Sequence, residues 1–241
     1  MTTAPEATRQ HPVVTTLRGG LVVSCQARPG EPLHGPVHMT AMALSALAGG
    51  AVGLRLEGPE DIAAVRAVTR VPLIGLWKVG SDGVYITPTM DAVDAVLAAG
   101  SDVVAVDATD RPRPDGSTLG DAVSRVHAAG RLVMADVATV EQGVAAVRAG
   151  ADLVGSTLSG YTEGGPAPDG PDLDLVAALA AVLPVPVVAE GRISTPGQAA
   201  EALRRGAWTV VVGGAITRPA VITAGFVQAV EGVARRAEER P

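Results

Sequence analysis

The sequence has few cysteine, lysine and aromatic residues, and each shortage excludes something. Cys25 is the only cysteine among 241 residues, so no intrachain disulfide can form and a reducing, cytosolic setting is expected. Aromatic residues make up only 2% of the chain, so a folded core has to be filled by branched aliphatic side chains. Such filling suits the stacked inner layers of a parallel barrel.

Concentrated positive charge and long apolar runs are also missing. The formal net charge is −6, with acidic and basic residues interspersed, which argues against nucleic acid or an anionic membrane as a partner. Residues 1–12 have no apolar region of the secretory kind, and no run approaches the roughly 20 apolar residues of a membrane span. We therefore expect a cytoplasmic protein whose partner is a small molecule.

Lysine is the scarcest of the charged residues. Of the 19 basic residues, 18 are arginine, and Lys78 is the one lysine. A coding bias that replaces lysine by arginine explains the lack of lysine on the surface, where the exchange costs little. The same bias makes the remaining lysine conspicuous. Arginine stays protonated, whereas a buried lysine can be neutral near pH 7. Lys78 is therefore a candidate for a role that needs a neutral amine.

One pattern recurs along the chain: a helix ends at glycine, a small or polar residue follows, and an apolar strand begins. Glycine accepts the left-handed conformation that ends a helix. Copies of this pattern lie at 47–56, 97–107, 147–157 and 203–214. Two further strands begin with a Val-Pro pair, a position where a strand tolerates proline.

Eight strands alternating with eight helices predict a single (β/α)8 TIM barrel. The strands are expected at 19–25, 51–55, 72–77, 102–107, 131–136, 152–157, 186–190 and 208–213. The helices are expected near 36–48, 59–69, 89–99, 118–129, 139–149, 172–183, 195–205 and 219–236. No G-x-G-x-x-G or Walker A sequence supports an open nucleotide-binding sheet. The barrel should span 19–236, between an N-terminal extension (1–18) and a C-terminal tail (237–241).

Polar residues gather at the carboxyl ends of the predicted strands, the face on which barrel enzymes carry their active sites. They are Gln26, Arg55, Lys78, Asp107, Asp136, Thr157 and Glu190. Lys78 and Glu190 should face each other across the mouth, where a neutral Lys78 could take a proton from carbon. Glu190 would transfer a second proton or hold the lysine. The alternative is a plain ion pair, with Arg55 and Asp136 as a second pair that positions them.

Glycine-rich turns after strands 7 and 8 match the usual phosphate site of this fold. Gly191, Gly213 and Gly214 would offer backbone N–H groups, and Arg192 could add a bidentate clamp. Cys25 is expected to be a small buried hydrophobic residue. The four histidines are scattered without metal-ligand spacing, so no metal site is expected.

The sequence resembles the N-acetylmannosamine-6-phosphate 2-epimerase family from about Gly19 to Val230. The matching segments include GGLVVSCQARPGEPLHGP (19–36), VYITPT (84–89), MADVAT (134–139), VVAEGRI (187–193) and GAITRP (214–219). The resemblance implies an isomerase that interconverts N-acetylmannosamine 6-phosphate and N-acetylglucosamine 6-phosphate in sialic-acid and amino-sugar breakdown. It implies no organic cofactor, and it leaves the oligomeric state open, with a homodimer as one alternative.

The resemblance also implies roles for individual residues. The family's proton-transfer lysine matches Lys78, and its strand-7 glutamate matches Glu190. An arginine and an aspartate of its pocket network match Arg55 and Asp136. We add Gln26 and Thr157 as substrate-binding candidates because they end strands at the same mouth.

Two other functions remain open at this stage. In the first, Lys78 of a class I aldolase-type barrel forms a Schiff base with a phosphorylated sugar. In the second, the barrel binds a sugar phosphate without catalysis. Trapping of a covalent adduct by borohydride would indicate the first, and ligand binding without hydrogen exchange at C2 would indicate the second.

Overall fold

Eight apolar segments of the chain pair in parallel and close into a barrel, in which each strand pairs with the next and the last pairs with the first. The structure is a computed structural model that describes residues 4–80, 83–162 and 169–238. Its strands are β1 (Leu21–Cys25), β2 (Gly53–Glu57), β3 (Leu73–Leu76), β4 (Val103–Asp107), β5 (Leu132–Asp136), β6 (Leu153–Gly155), β7 (Val187–Glu190) and β8 (Thr209–Val212). The predicted (β/α)8 barrel is confirmed.

The helices follow the strands in the predicted alternation. Two helices precede the barrel, α1 (Ala4–Gln10) and α2 (Pro12–Leu17). The others are α3 (Pro36–Ala48), α4 (Pro59–Val68), α5 (Met90–Ala98), α6 (Leu119–Ala128), α7 (Val140–Arg148), α8 (Leu173–Val182), α9 (Pro196–Arg204), α10 (Gly214–Thr217) and α11 (Pro219–Glu238). None of the helices in the described part of the chain combines the length and the apolar character needed to cross a bilayer.

Helix ends follow local rules that the sequence displays. Gly150 and Gly206 have φ values of +102° and +100°, the left-handed conformation expected of glycine after a helix. Thr195 and Gln198 form a reciprocal capping box at the start of α9. Thr139 accepts from the N–H of Gln142 as expected, but the Gln142 amide oxygen binds the N–H of Ala138 instead of the cap residue.

The core has two layers, because alternate residues of each strand point to opposite sides of the sheet. One layer fills the barrel interior and the other lies between the strands and the helices around them. The interior includes Val22, Ile74, Leu132, Met134 and Val188, all almost fully buried. These branched or flexible aliphatic side chains replace the aromatics that the composition lacks.

The N-terminal extension closes one end of the barrel, which the sequence analysis did not predict. Val14 and Leu17 of α2 are fully buried and belong to the interior layer. A Cβ on Gly53 would lie 2.7 Å from Leu17 Cδ2, so a glycine in β2 makes room for the leucine. The Trp208 indole N–H donates to the carbonyl of Val14 at 2.8 Å. Residues 12–17 thus pack as part of the barrel core.

Several boundaries differ from the prediction, and two of them concern candidate site residues. Strand β2 was expected at 51–55 but extends to Glu57, so Arg55 lies within the strand instead of at its end. Strand β3 ends at Leu76, and Lys78 lies beyond it, in an isolated antiparallel bridge with Ile86. The short helix α10 was not predicted, because four residues give no periodicity to detect.

We predict that Leu17→Ala destabilises the protein by about 2–5 kcal/mol, because it removes buried methyl groups and leaves a cavity at the closed end of the barrel. Chemical denaturation at fixed protein concentration would measure the loss. The control is Val182→Ala, since Val182 is 56% exposed and its truncation should change stability little. Equal effects of the two substitutions would show that α2 is not part of the core.

Candidate active site

The alternation of side chains that fills the barrel also places its polar residues. Met134 and Val188 point into the interior, so Asp136 and Glu190, two residues further along their strands, point the same way. They lie at the carboxyl ends, where the apolar filling stops. The strand ends therefore bring together side chains that are far apart in sequence.

Arg55 is the centre of this cluster. Its Nη2 donates to Asp136 Oδ2 at 2.6 Å, and its Nη1 donates to Glu190 Oε2 at 2.6 Å and to Asp136 Oδ1 at 3.2 Å. The side chains of Arg55 and Asp136 are 1% and 0% exposed, so both charges are neutralised inside the protein. The predicted Arg55–Asp136 pair is confirmed, and Glu190 joins it as a third member.

Sharing one guanidinium between two carboxylates has an electrostatic consequence. Burial, and to a smaller extent the charge of Asp136, raises the pKa of Glu190 to about 7, against the lowering effect of Arg55 and Lys78. For Arg55, burial alone would lower the pKa, but the charges of Asp136 and Glu190 outweigh it and the pKa is raised. Arg55 is therefore a fixed cation, and Glu190 is the member that can exchange a proton near neutral pH.

Neighbouring hydroxyl groups hold the carboxylates. The Thr157 hydroxyl lies 2.6 Å from Asp136 Oδ1 and 3.3 Å from Glu190 Oε2. The Ser156 hydroxyl accepts from the backbone N–H of Glu190 at 3.1 Å and donates to its carbonyl at 2.9 Å. Asp107 is bound elsewhere, since its carboxylate accepts from Thr109 and Arg111 in the loop after β4.

Lys78 is held by a neutral acceptor. Its Nζ donates to Gln26 Oε1 at 2.6 Å, and the Gln26 amide nitrogen donates to the Ser24 hydroxyl at 2.8 Å. The Ser24 contact fixes the orientation of the amide, so the oxygen faces the lysine. The Lys78 backbone N–H donates to Glu57 Oε1 at 3.1 Å, which ties the turn after β3 to the end of β2. Glu57 was not predicted as a site residue, because the predicted β2 ended at residue 55.

The surroundings of Lys78 favour its neutral form. Part of the residue is exposed at the mouth, as access by a ligand requires, yet enough protein surrounds the amine for burial to lower its pKa. The positive charge of Arg55 lowers this pKa further, and Glu57 and Glu190 act in the opposite direction. Within the described residues Lys78 forms no ion pair, so the plain Lys78–Glu190 pair considered from the sequence is not present.

The glycine turns after β7 and β8 lie on the same face as Lys78. Gly191 has a φ of +112°, and Gly213 precedes the first turn of α10, which no side chain caps among the described residues. Arg192, the expected phosphate clamp, uses its guanidinium for hydrogen bonds within the protein. Its Nε donates to the Gly170 carbonyl at 2.6 Å and its Nη1 to the Ser159 carbonyl at 2.5 Å, which ties the loop after β7 to the loop after β6.

A second arginine, Arg218, flanks the same turn and was missed in the sequence. It follows α10, and its guanidinium forms an ion pair with Glu31 of the loop after β1. A Cβ on Gly214 would lie 3.7 Å from Arg218 Cδ, so the arginine stem runs beside the glycine. The segment GAITRP contains the residue, but no spacing rule marks it as part of the site.

The remaining candidates carry no chemistry. Burial, assisted by the charge of Asp61, raises the pKa of Cys25 to about 12, so its thiol is unreactive near neutral pH. Across the described ranges, no group of three His, Cys, Asp or Glu side chains is arranged to hold a metal ion.

Comparison with known proteins agrees with this arrangement. Residues 39–232 match the model of the NanE family, described as "Putative N-acetylmannosamine-6-phosphate epimerase". The chain is 50% identical over 222 residues to a "Putative N-acetylmannosamine-6-phosphate 2-epimerase" from Caldanaerobacter subterraneus subsp. tengcongensis. The match covers 90% of this chain and 94% of the relative. One from Cutibacterium acnes is 49% identical over 217 residues, covering 89% and 95%.

A solved structure matches as well. The N-acetylmannosamine-6-phosphate 2-epimerase from Clostridium perfringens superposes with a TM-score of 0.88 at 43% identity, covering 91% of this chain and 97% of that one. Fold, identity and near-complete coverage agree across the three proteins. This chain belongs to the NanE family of N-acetylmannosamine-6-phosphate epimerases.

Proposed function

We propose that this protein interconverts N-acetylmannosamine 6-phosphate and N-acetylglucosamine 6-phosphate by removing and returning the proton at C2. One observation carries the proposal: the only lysine of the chain lies at the barrel mouth, bound to a neutral amide, with a lowered pKa. Membership of the family supports the choice of substrate. The buried Cys25 and the metabolite substrate support a cytoplasmic location and a place in amino-sugar breakdown.

The chemistry follows from the open-chain form of the sugar. Its C1 aldehyde acidifies the C2 hydrogen, because the carbanion left behind is delocalised as an enolate. Neutral Lys78 takes that proton at Nζ while the C2 electron pair moves toward the C1 oxygen. Gln26 accepts a hydrogen bond from the amine without bringing a negative charge that would stabilise its protonated form. Lys78 is thus positioned and kept basic by one residue.

Glu190 completes the inversion by protonating C2 from the other face. Its pKa of about 7 lets the acid form persist near neutrality, and its contact with Arg55 stabilises the carboxylate formed after proton transfer. In the reverse direction the two groups exchange roles. The Lys78–Glu190 pair is therefore active when the amine and the carboxyl group together carry one proton that can be transferred. Asp136 and Thr157 position Glu190, and the substrate hydroxyl groups bind in the same polar cluster.

The phosphate of the substrate binds at the turns after β7 and β8. Gly191, Gly213 and Gly214 supply backbone N–H groups, as phosphate turns of this fold do. Arg192 holds the first turn in place through its carbonyl contacts and adds positive charge. Arg218 lies beside Gly214, and its partly exposed guanidinium can reach a phosphate bound at this turn.

The two alternative functions are less well supported. Neither a Schiff-base aldolase nor a non-catalytic sugar-phosphate binder is suggested by any of the relatives described above. A Schiff base would also consume the amine that the Gln26 contact preserves as a base. Borohydride in the presence of substrate should therefore leave Lys78 unmodified.

A homodimer is the assembly we propose. Helix α11 should cover β8 and β1 between α9 and α3, but its main contacts are with α10. Its apolar side chains face solvent, with Phe226 72% and Val230 70% exposed, and Val37 on α3 is 80% exposed. The uncovered apolar surface of α11 and the exposed Val37 of α3 fit an interface with a second copy of the chain.

The first prediction from this mechanism tests the role of Lys78 as the base. Lys78→Arg should fold normally but lower turnover by a factor on the order of 10²–10⁴, because arginine keeps its proton. NMR in deuterium oxide with N-acetylmannosamine 6-phosphate would follow both exchange of the C2 hydrogen and inversion. Arg148→Lys, an exposed exchange of the same two residue types, is the control. Near-normal exchange by Lys78→Arg would refute the assignment.

The second prediction concerns pH. The wild-type rate should be bell-shaped, with an acid limb near pH 7, where Glu190 titrates, and an alkaline limb where Lys78 loses the last proton of the pair. Glu190→Gln should reduce kcat/KM by about 10²-fold or more. It should leave a single limb, set by the pKa of Lys78, and abolish the alkaline limb.

The pH profile of Glu190→Gln is the deciding readout. Glu141→Gln, on the exposed side of α7, is the control and should keep the wild-type profile. An unshifted bell in Glu190→Gln would show that the limbs belong to other groups.

The third prediction concerns assembly. Light scattering coupled to size exclusion should give twice the mass of one chain for the wild type and a lower mass for Phe226→Asp, because a charge in an apolar contact opposes its burial. Val182→Asp, also apolar and exposed but distant on α8, should remain dimeric. A monomeric wild type at micromolar concentration would contradict the proposal.

A further inference from the structure

The Glu31–Arg218 ion pair joins two loops of the active face that are far apart in sequence. Glu31 lies in the loop between β1 and α3, and Arg218 follows the turn after β8. Their side chains are 30% and 36% exposed, so neither is buried as a structural pair would be. The pair is therefore open to exchange with a ligand that reaches the mouth.

Arg218 also lies beside the second glycine turn. Its Cδ lies 3.7 Å from the position of a Cβ on Gly214, which puts the guanidinium within one side-chain length of that turn. Carboxylate and phosphate oxygens use the same guanidinium donors, often two at a time. An anion at the turn would therefore compete with Glu31 for Arg218.

Glu31 has partners in its own loop that remain when Arg218 is removed. Its Oε2 accepts from the backbone N–H of Arg28 at 3.2 Å, and its backbone N–H donates to the Arg28 carbonyl at 3.0 Å. The His34 N–H donates to the Glu31 carbonyl at 3.0 Å. Losing Arg218 therefore leaves Glu31 hydrogen-bonded within the turn at 28–34.

We propose that Glu31 is an internal competitor of the substrate phosphate: its carboxylate neutralises Arg218 in the empty site, and a phosphate dianion displaces it. The inference rests on the proposed function, because it assumes a phosphorylated ligand. A sugar without phosphate leaves the pair intact, whereas a phosphorylated sugar has to displace the Glu31 carboxylate and so binds less tightly than it would to a free Arg218. Glu31 thereby sets the affinity of the site for the phosphate group.

Inorganic phosphate is the probe, and isothermal titration of the full-length protein is the measurement. Glu31→Gln should bind phosphate about two- to fivefold more tightly than the wild type, the effect expected for releasing a partly exposed ion pair. The KM for N-acetylmannosamine 6-phosphate should fall in parallel while kcat changes little. Glu60→Gln, an exposed glutamate on α4, gauges the general effect of removing one negative charge.

A double-mutant cycle separates competition for Arg218 from long-range electrostatics. In an Arg218→Gln background the further change Glu31→Gln should have no effect on phosphate affinity beyond that of Glu60→Gln. An equal gain in both backgrounds would overturn the proposal, as would unchanged or weaker phosphate binding by Glu31→Gln. So would a failure of both wild type and Glu31→Gln to bind phosphate.

The outcome is distinguishable from failure of the proposed function. Hydrogen exchange at C2 by the wild type tests that function on its own, with no change at Glu31. If exchange occurs and phosphate affinity does not respond to Glu31→Gln, only the competition is refuted. Thermal melting of Glu31→Gln, compared with the wild type, verifies that the turn at 28–34 has not collapsed the fold.

Discussion

One buried guanidinium shared by two carboxylates organises the mouth of this barrel. Arg55 crosses the interior from β2 and binds Asp136 of β5 and Glu190 of β7. Three charges taken out of water this way are stable only together, and removing one partner of such a group typically costs about 3–5 kcal/mol. The closed barrel makes the arrangement possible, since it holds the three strand ends at fixed distances.

The chemistry proposed for the site depends on that shared charge. Burial raises the pKa of Glu190, and one cation that is shared with Asp136 does not offset this effect. Asp136 remains bound to Arg55 through both of its carboxylate oxygens. Burial lowers the pKa of Lys78, and the charge of Arg55 lowers it further. Burial thus brings the pKa values of an amine and a carboxyl group toward each other, while the arginine holds the two carboxylates in place. Gln26 and Ser24 then fix the amine without adding a charge.

The sequence predicts the parts of this protein that follow from local rules. Glycine after several of the helices and the apolar strand that follows predict the barrel, because both reflect backbone conformation and burial. Lys78 is conspicuous because it is the only lysine in the sequence. Arg55, Asp136 and Glu190 can be predicted as site residues because they lie at or near the carboxyl ends of strands. These are properties that neighbouring residues determine.

Contacts between distant loops are not visible in the same way. The Glu31–Arg218 pair joins residues far apart in the chain, and nothing near either residue indicates its partner. Helix α2 shows only a few apolar residues, and their burial depends on the space that Gly53 leaves in β2. Arg192 has the residue type and position of a phosphate clamp, but two of its nitrogens hold backbone carbonyls instead.

The central claim is that Lys78 is held in a setting that favours its neutral form, and its pKa tests that claim directly. Because Lys78 is the only lysine, labelling with ¹³C-lysine gives one side-chain signal to titrate by NMR. The account predicts a midpoint clearly below the usual value of about 10.4 and a further decrease in Glu190→Gln, where a neighbouring negative charge is lost. A midpoint at the usual lysine value, unchanged in that variant, would contradict it.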